Sequence, residues 1–483
     1  MNKSAQGSSD LVVPANFVRA VRESGYLNIS TALAELVDNS LQASATSIII
    51  TIDRAKSDAL PEITIEDDGV GMSRAELETC LRFGGSTRFD ARNSFGRFGM
   101  GLPAASLSQA RRVEVTSWQN HGDEHQVTLD IDTVTEIGHG ELTARRIGES
   151  GSVSGCRVRW LQCDRIEYRR LAWLERALHK DLGRMYRRYL WEGIELTINQ
   201  SPVAAVDPML LDTMVEGATA HLAFEPLQYE LESKDGATSP VTVRFAMLPV
   251  HRWHHLDNAR KRHAGIVGRG GVSILRAGRE ITNGWHLMGS KRKENYDDWW
   301  RCEIEFTPDL DEQFGITINK QGIRPSVLLR EALEPELESI ARLLNSRVRQ
   351  AFEEVKFQTA TEKSCRIATS ADPDLPVIIS RGHSGAIQYQ IEPDALPMEA
   401  MFHSRLDQRT LNLKLNTDHP LFEALYQPLQ SIESEAASEL RTSIELLLLS
   451  FARSAEQLKQ AGHDLDSLLQ SWSRTCGRML KKS

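Results

Sequence analysis

Between Ser30 and Ala43 the apolar residues Leu33, Leu36, Val37 and Leu41 fall on one face of a helix. Glu35, Asp38, Asn39 and Gln42 share the opposite face. Leu11 to Gly25 reads as a helix behind a polar arm, residues 1–10, expected to be flexible in the isolated protein. Alternation predicts strands at Ser47–Asp53, Glu62–Glu66, Arg112–Trp118, His125–Ile131 and Cys156–Gln162. Arg165 to Tyr189 reads as an arginine-rich helix and Ile194–Asn199 as a strand; Pro202 and Asp207-Pro208 then mark a boundary. Beyond about residue 215 the pattern is strand-rich again. Val241–Leu248 alternates, Gly265–Ile281 reads as a strand pair with basic tips, and Trp299-Trp300 opens a strand over Arg301–Phe306 as core. Phe314 to Asn319 reads as a strand ending at Lys320 and a glycine turn. Pro325–Gln358 reads as a long amphipathic helix and 359–400 as a linker with one short strand, Pro376–Ser380. A strand at Gln408–Asn416 and helices over Ser431–Ala461 and Asp464–Leu480 complete the chain. No internal repeat is found.

Three stretches carry candidate chemistry. Glu35 and Asn39 are one helical turn apart, so a general base and an oxygen ligand for a hard cation such as Mg²⁺ could converge on one point. A solvated polar face is the alternative. The strand at Glu62 runs into Asp67-Asp68-Gly69-Val70-Gly71-Met72, where two glycines let the backbone approach a flat ligand. Asp67 could there accept a hydrogen bond from an exocyclic amine such as adenine's, unless the stretch is simply an acidic turn. Phe83 to Ser106 begins as a polar, turn-rich loop and ends in Gly96-Arg97-Phe98-Gly99-Met100-Gly101, feeding an apolar segment from Leu102. Pro103 suits a first helical turn, and glycine amides at a helix start suit phosphates. The P-loop and the dinucleotide fingerprint are both absent.

In their order and spacing, Glu35-x-x-Asp38-Asn39, Asp67-x-Gly69-x-Gly71 and Gly96-x-x-Gly99-x-Gly101 resemble the Bergerat-fold (GHKL) ATPases: gyrase, the ninety-kilodalton heat-shock chaperones, histidine kinases and MutL-type repair proteins. Each motif alone is weak; together they are specific. The resemblance implies Glu35 as the base that activates water, Asn39 with Asp38 beside it as the Mg²⁺ site, and Asp67, Gly69, Gly71 and Met72 around adenine. It also implies Gly84, Ser86, Thr87 and the run Gly96, Arg97, Phe98, Gly99, Met100, Gly101 and Leu102 around the phosphates beneath a lid. Phe83 to Arg88 and Phe95 to Ser106 look closest to the microrchidia (MORC) type and its bacterial relatives. Cys156 stands where many relatives carry the threonine of a later Gly-Thr motif, so that role is not assigned. In gyrase, MutL and MORC relatives a second, ribosomal-S5-like transducer domain sends a loop lysine to the γ-phosphate; Lys320, with Gln321 beside it, matches that pattern. The implied fold is α+β: an ATPase sandwich at 11–212, a transducer at 213–358, the linker at 359–400 and a small, mostly helical dimerisation or partner module at 401–483.

Length fits about two to four domains. A net charge of -9 gives no general pull toward nucleic acid, so any such binding would use local patches. The arginines of 165–189 are such a patch or, by default, a solvated face. His251, His254 and His255 lack ligand-spaced partners and read as a solvated loop. Six cysteines without paired spacing fit a reducing cytoplasm. No apolar run approaches the roughly 18 residues of a membrane helix, and the N-terminus lacks a signal peptide's apolar core, so a soluble cytoplasmic protein is expected.

The leading expectation is an Mg²⁺-dependent ATPase working as an ATP-gated homodimeric clamp on double-stranded DNA or a partner effector, in a DNA-repair or phage-defence setting. Turnover limited by dimerisation and lid closure would be slow. The alternative is a chaperone of the ninety-kilodalton class; a missing middle client region and a lysine in place of its arginine sensor speak against it. No phosphoacceptor histidine supports a kinase, and little room remains for a DNA-cleaving domain.

Overall fold

The computed structural model describes residues 14–26, 28–54, 60–84, 100–133, 142–168, 170–233, 236–316, 320, 322–378, 386–397, 399–431, 434–460, 462 and 469–470. The chain divides into two compact units, Met1–Leu344 and Asn345–Ser483.

The first unit begins with α1 (Pro14–Ser24), α2 (Ile29–Gln42), β1 (Ser47–Asp53), β2 (Glu62–Asp67), α3 (Arg74–Cys80) and α4 (Gly101–Gln109). It continues through β3 (Arg112–Trp118), β4 (Asp123–Asp130), β5 (Arg145–Glu149), β6 (Gly155–Leu161), α5 (Leu171–Met185), α6 (Arg187–Trp191), β7 (Glu195–Ile198) and β8 (Ser201–Pro202). The strands form one sheet in the order β5-β4-β3-β6-β2-β1-β7-β8. Alternation decides its two faces. Ile48, Ile50, Ile63, Ile65, Val113, Val115 and Trp160 point into a core shared with Leu33, Leu36 and Val37 of α2 and Leu174, Leu178 and Leu182 of α5. The other face is a charged ladder, with Arg157 bonded to Glu66 at 2.6 Å and Arg159 to Glu114 at 3.1 Å. The helix predicted over Arg165–Tyr189 is thus shorter at its start and broken at Tyr186, and β5 was not foreseen.

A second sheet follows in the same unit: β9 (His221–Leu222), β10 (Leu227–Glu232), β11 (Thr238–Met247), β12 (Val272–Arg276), β13 (Arg279–Gly284) and β14 (Trp300–Phe306), ordered β10-β11-β14-β12-β13 with β9 on β11. Trp299 and Trp300 are buried, as expected of core residues. The predicted strand from Phe314 is corrected: Asp311–Phe314 is a helical turn, closed by Gly315 at φ +62, and Phe306 stacks on Phe314 at 3.7 Å. Residues 317–319 and Gln321 lie outside the described residues. Asp207 does not sit in a loose boundary; it is buried and accepts the amides of Met209 at 2.8 Å and Leu211 at 2.6 Å. The solvated-face reading is corrected at Arg184, Arg187 and Arg188, whereas Arg165, Arg170 and Arg176 are exposed, as it expects. Arg187 is fully buried and pairs with Glu280 and Glu303, Arg184 pairs with Glu280, and Arg188 with Glu303. They lock the helices of the first sheet to β13 and β14, a use that charge patterning along one helix does not reveal. Arg169 lies outside the described residues.

One helix, Val327–Ala371, continues from the first unit into the second. The second unit adds β15 (Gln388–Asp394), β16 (Phe402–Asp407) and β17 (Thr410–Asn416), ordered β15-β17-β16, and a helix over Glu435–Gln460. Its core gathers Tyr389, Ile391, Phe402, Leu411, Leu413, Leu415, Leu448 and Leu449. One expectation is corrected here. Residues 359–371 are helix and 388–394 strand, where a linker with one short strand at Pro376–Ser380 was expected, whereas 401–483 is mostly helical among the described residues, as expected, with β16 and β17 added to it. The polar composition misled because its polar groups are satisfied inside: Ser364 is fully buried and donates to the Thr361 carbonyl at 2.8 Å and to Glu445 at 2.6 Å. Pro376 to Ile378 carry no regular structure, and the predicted helix from Asp464 lies almost wholly outside the described residues. Among the described residues no helix is long and apolar enough to cross a membrane.

Candidate active site

The Asn28 side chain caps α2 by accepting the Thr31 amide at 2.9 Å. Its apolar face seats the helix on the sheet, and the polar face is buried as well: Glu35 is 3% and Asp38 0% exposed. The solvated alternative is excluded, because cations from the second sheet's side cover these carboxylates. Lys320 Nζ lies 3.1 Å from Glu35 Oε2 and 2.7 Å from Asp38 Oδ2. Arg279, opening β13, lies 2.7 Å from the same Asp38 oxygen. The Tyr186 hydroxyl stands 2.6 Å from the Ala34 carbonyl and 2.8 Å from Asp38 Oδ1, sharing one proton between two acceptors. Burial pushes the Asp38 carboxyl up, but Arg279, Lys320 and Tyr186 outweigh it and hold it below the usual range. Tyr26 and Tyr186 are driven the other way, first by burial and then by the carboxylates beside them. Lys320 has a left-handed backbone, φ +50, so a strained tip presents its ammonium.

Gly101 starts α4 directly against this cluster. A Cβ there would overlap the Glu35 carboxylate, which would have to shift to admit it. No side chain caps that helix at Met100. Leu102 packs on the core behind it.

The other end of α2 holds the second motif. Ser40 Oγ donates to Asp67 Oδ2 at 2.7 Å, and the Gly69 amide to Asp67 Oδ1 at 3.0 Å. Burial raises the Asp67 carboxyl, and those two bonds oppose the rise. Asp68 is a structural anchor, taking the amides of Thr46 at 2.8 Å and Ser47 at 2.9 Å. Gly71 has φ +68, and a Cβ on it would strike the Trp118 carbonyl. The Met72 amide donates to Ser117 Oγ at 2.7 Å, which donates to the Gly155 carbonyl at 2.9 Å. Cys156 pairs with Asp67 across the strands, and burial drives its thiol well up, away from reactivity.

α2 thus carries Glu35 and Asp38 beside Gly101 and Lys320, and Ser40 beside Asp67, Gly69, Gly71 and Met72. Asn39 sits between the two groups, half-buried, its side chain without a hydrogen bond among the described residues. A free amide oxygen beside a carboxylate is a donor set that fits a hard divalent cation. Gly84, at φ +76, stands in open space and is not drawn into either group. Ser86, Thr87, Gly96, Arg97, Phe98 and Gly99 lie outside the described residues. Pattern reasoning did not single out Arg279, Tyr186, Ser40 or Ser117. Only Arg279 left a trace, as a basic strand tip.

Residues 27–154 match the family described as histidine kinase-, DNA gyrase B-, and HSP90-like ATPase. That span holds all three motifs of α2, β2 and α4. The chain carries a GHKL-type ATPase domain. The DNA mismatch repair protein MutL of Rickettsia africae is 29% identical over 154 residues, covering 29% of this chain and 23% of the relative. The MutL of Shewanella amazonensis is 30% identical over 162 residues, covering 30% and 24%. That of Shewanella denitrificans is 27% identical over 195 residues, covering 35% and 28%. The matches span about a quarter of the length of these relatives.

Proposed function

We propose that this protein is an Mg²⁺-dependent ATPase acting as an ATP-gated dimeric clamp, with an ATPase domain at 11–212 and an S5-like transducer at 213–358. The observation that carries the reading is Lys320 lodged against Glu35 and Asp38, a cation from beyond the second sheet resting on the carboxylate expected to be the base. Asp67, fixed by Ser40 and Gly69, reads the adenine amine, with Gly69, Gly71 and Met72 along the base. Gly84, Ser86, Thr87 and the run from Gly96 to Leu102 receive the phosphates. Asn39 holds Mg²⁺, which when bound neutralises phosphate charge. Glu35 takes a proton from the attacking water as the bond between the γ-phosphorus and its bridging oxygen breaks, giving ADP and phosphate. In the docked state Lys320 leaves the carboxylates for the γ-phosphate, and release of phosphate returns it, so nucleotide state sets the arrangement of the two sheets.

The MutL likeness favours DNA, and then a repair or defence setting, as the place where the clamp closes; an effector protein is the other partner class. Steady-state ATP hydrolysis by wild type and Glu35→Ala, with and without double-stranded DNA over a salt series, tests both levels. Loss of turnover with retained ATP binding in the variant is expected, and so is stimulation by DNA that fades with salt. Equal turnover in the two proteins would remove Glu35 as the base, and indifference to DNA would move the output to a protein partner.

A further inference from the structure

Arg279 belongs to none of the three motifs, yet it is 3% exposed and stands at the centre of the charged cluster. Asp38 Oδ2 is shared by two cations, each at 2.7 Å: Arg279 Nη1 and Lys320 Nζ. The Tyr186 ring lies beneath the guanidinium at 5.9 Å. Arg279 Nε and Nη1 are buried without a hydrogen-bond partner among the described residues, so its hold on Asp38 is an ion pair set at an angle that misses hydrogen-bond geometry.

Resting on the reading above, we propose that these two cations have different tasks. Arg279 is a positioning residue that stays with Asp38 in every nucleotide state, and Lys320 is the cation that exchanges between the carboxylates and the terminal phosphate. Glu35, Asp38, Lys320 and Arg279 bring together two acidic and two basic side chains in one buried cluster. Two cations on one carboxylate oxygen repel, so Arg279 weakens the grip of Asp38 on Lys320. Once Lys320 has left, Glu35 and Asp38 stand one turn apart on α2 with no other cation of the cluster to separate their charges. Arg279 therefore lowers the cost of releasing Lys320 at both ends of the exchange. Without it, Lys320 is the sole cation for a fully buried aspartate and stays there. ATP binding then takes the last cation from Asp38, leaving only the Tyr186 hydroxyl on it.

The readout is the preference for ATP over ADP, measured as the ratio of dissociation constants by calorimetry on the full chain with Mg²⁺ at neutral pH. ADP lacks the phosphate that Lys320 would meet, so this ratio reports the exchange and not the adenine pocket. Arg279→Gln is expected to lower the ratio about ten-fold, within the range typical of coupling between sites. Arg279→Lys, which keeps a cation, should keep most of it. Adding Asp38→Asn to Arg279→Gln removes the shorter of the two carboxylate pairs of Lys320 and should restore the ratio. An unchanged ratio in Arg279→Gln, or no recovery in the double variant, overturns the proposal. If Arg279→Gln does not fold, the comparison moves to the Asp38→Asn background. There Arg279 has lost the carboxylate it pairs with, so Asp38→Asn and the double variant should share one ratio. A ten-fold loss between them would make Arg279 a phosphate ligand in its own right and refute the assignment. Wild-type protein that binds no ATP at all would overturn the proposed function itself, a result separate from any ordering of the variants.

Discussion

Arg187 provides the sharpest test of how the two sheets of the first unit are joined. It is 0% exposed, with Nη1 at 2.7 Å from Glu280 Oε2 and its other terminal nitrogen on Glu303. Burial works against its charge, and the two glutamates more than reverse this. Arg187→Met keeps much of the volume and removes the charge. Deleting one partner of a buried ion pair costs about 3–5 kcal/mol, because the other charge is left uncompensated. Here Arg184 remains on Glu280 at 2.6 Å and Arg188 on Glu303 at 2.8 Å, so the lower end, about 3 kcal/mol, applies. For a unit of this size that is a fall in melting temperature of about 4 °C. Scanning calorimetry of the full chain reads it as a shift of the transition belonging to the first unit. A melting temperature within about 1 °C of wild type would refute the view that this ion cluster joins the sheets.

Two further outcomes follow from the same geometry. Ser40→Ala removes a hydrogen bond to the Asp67 carboxylate and should weaken ATP and ADP equally, by about ten-fold, since bonds to charged groups contribute about 1.5–3 kcal/mol; unchanged affinity in a titration would disconnect Asp67 from the nucleotide. In the second unit burial pushes the Asp372 carboxyl up, but the Ile387 amide, Arg453 and Tyr389 pull it below its usual range. A depressed carboxyl adds stability above its unfolded value that is lost as pH falls through the folded one, so acid below about pH 4 should loosen this unit in wild type and far less steeply in Asp372→Asn. Superimposable acid transitions followed by circular dichroism would rule that out.

Much of the site was legible because it is local. The spacing of Leu33, Leu36 and Val37 against Glu35 and Asn39, and the glycines after Asp67, are properties of single elements, and each appears where the pattern puts it. What was not legible is what meets across the fold. Arg279 and Asp38 are far apart in sequence, and nothing near either indicates that one is buried on the other. Arg187 reads as part of a solvated face until Glu280 and Glu303 arrive from another sheet. In the second unit Ser364 and Glu445 lie inside, where composition predicts surface. Polar residues that satisfy one another hide burial from any hydrophobic pattern.

The central claim is that Lys320 trades Glu35 and Asp38 for the terminal phosphate of ATP. The most direct measurement is the binding of ATP and ADP by wild type and Lys320→Met under identical conditions, with ATP-dependent dimerisation followed by light scattering. The account predicts that wild type prefers ATP and dimerises on binding it, whereas the variant binds the two nucleotides alike and remains as it was. A Lys320→Met protein that still distinguishes ATP from ADP and still dimerises would contradict it.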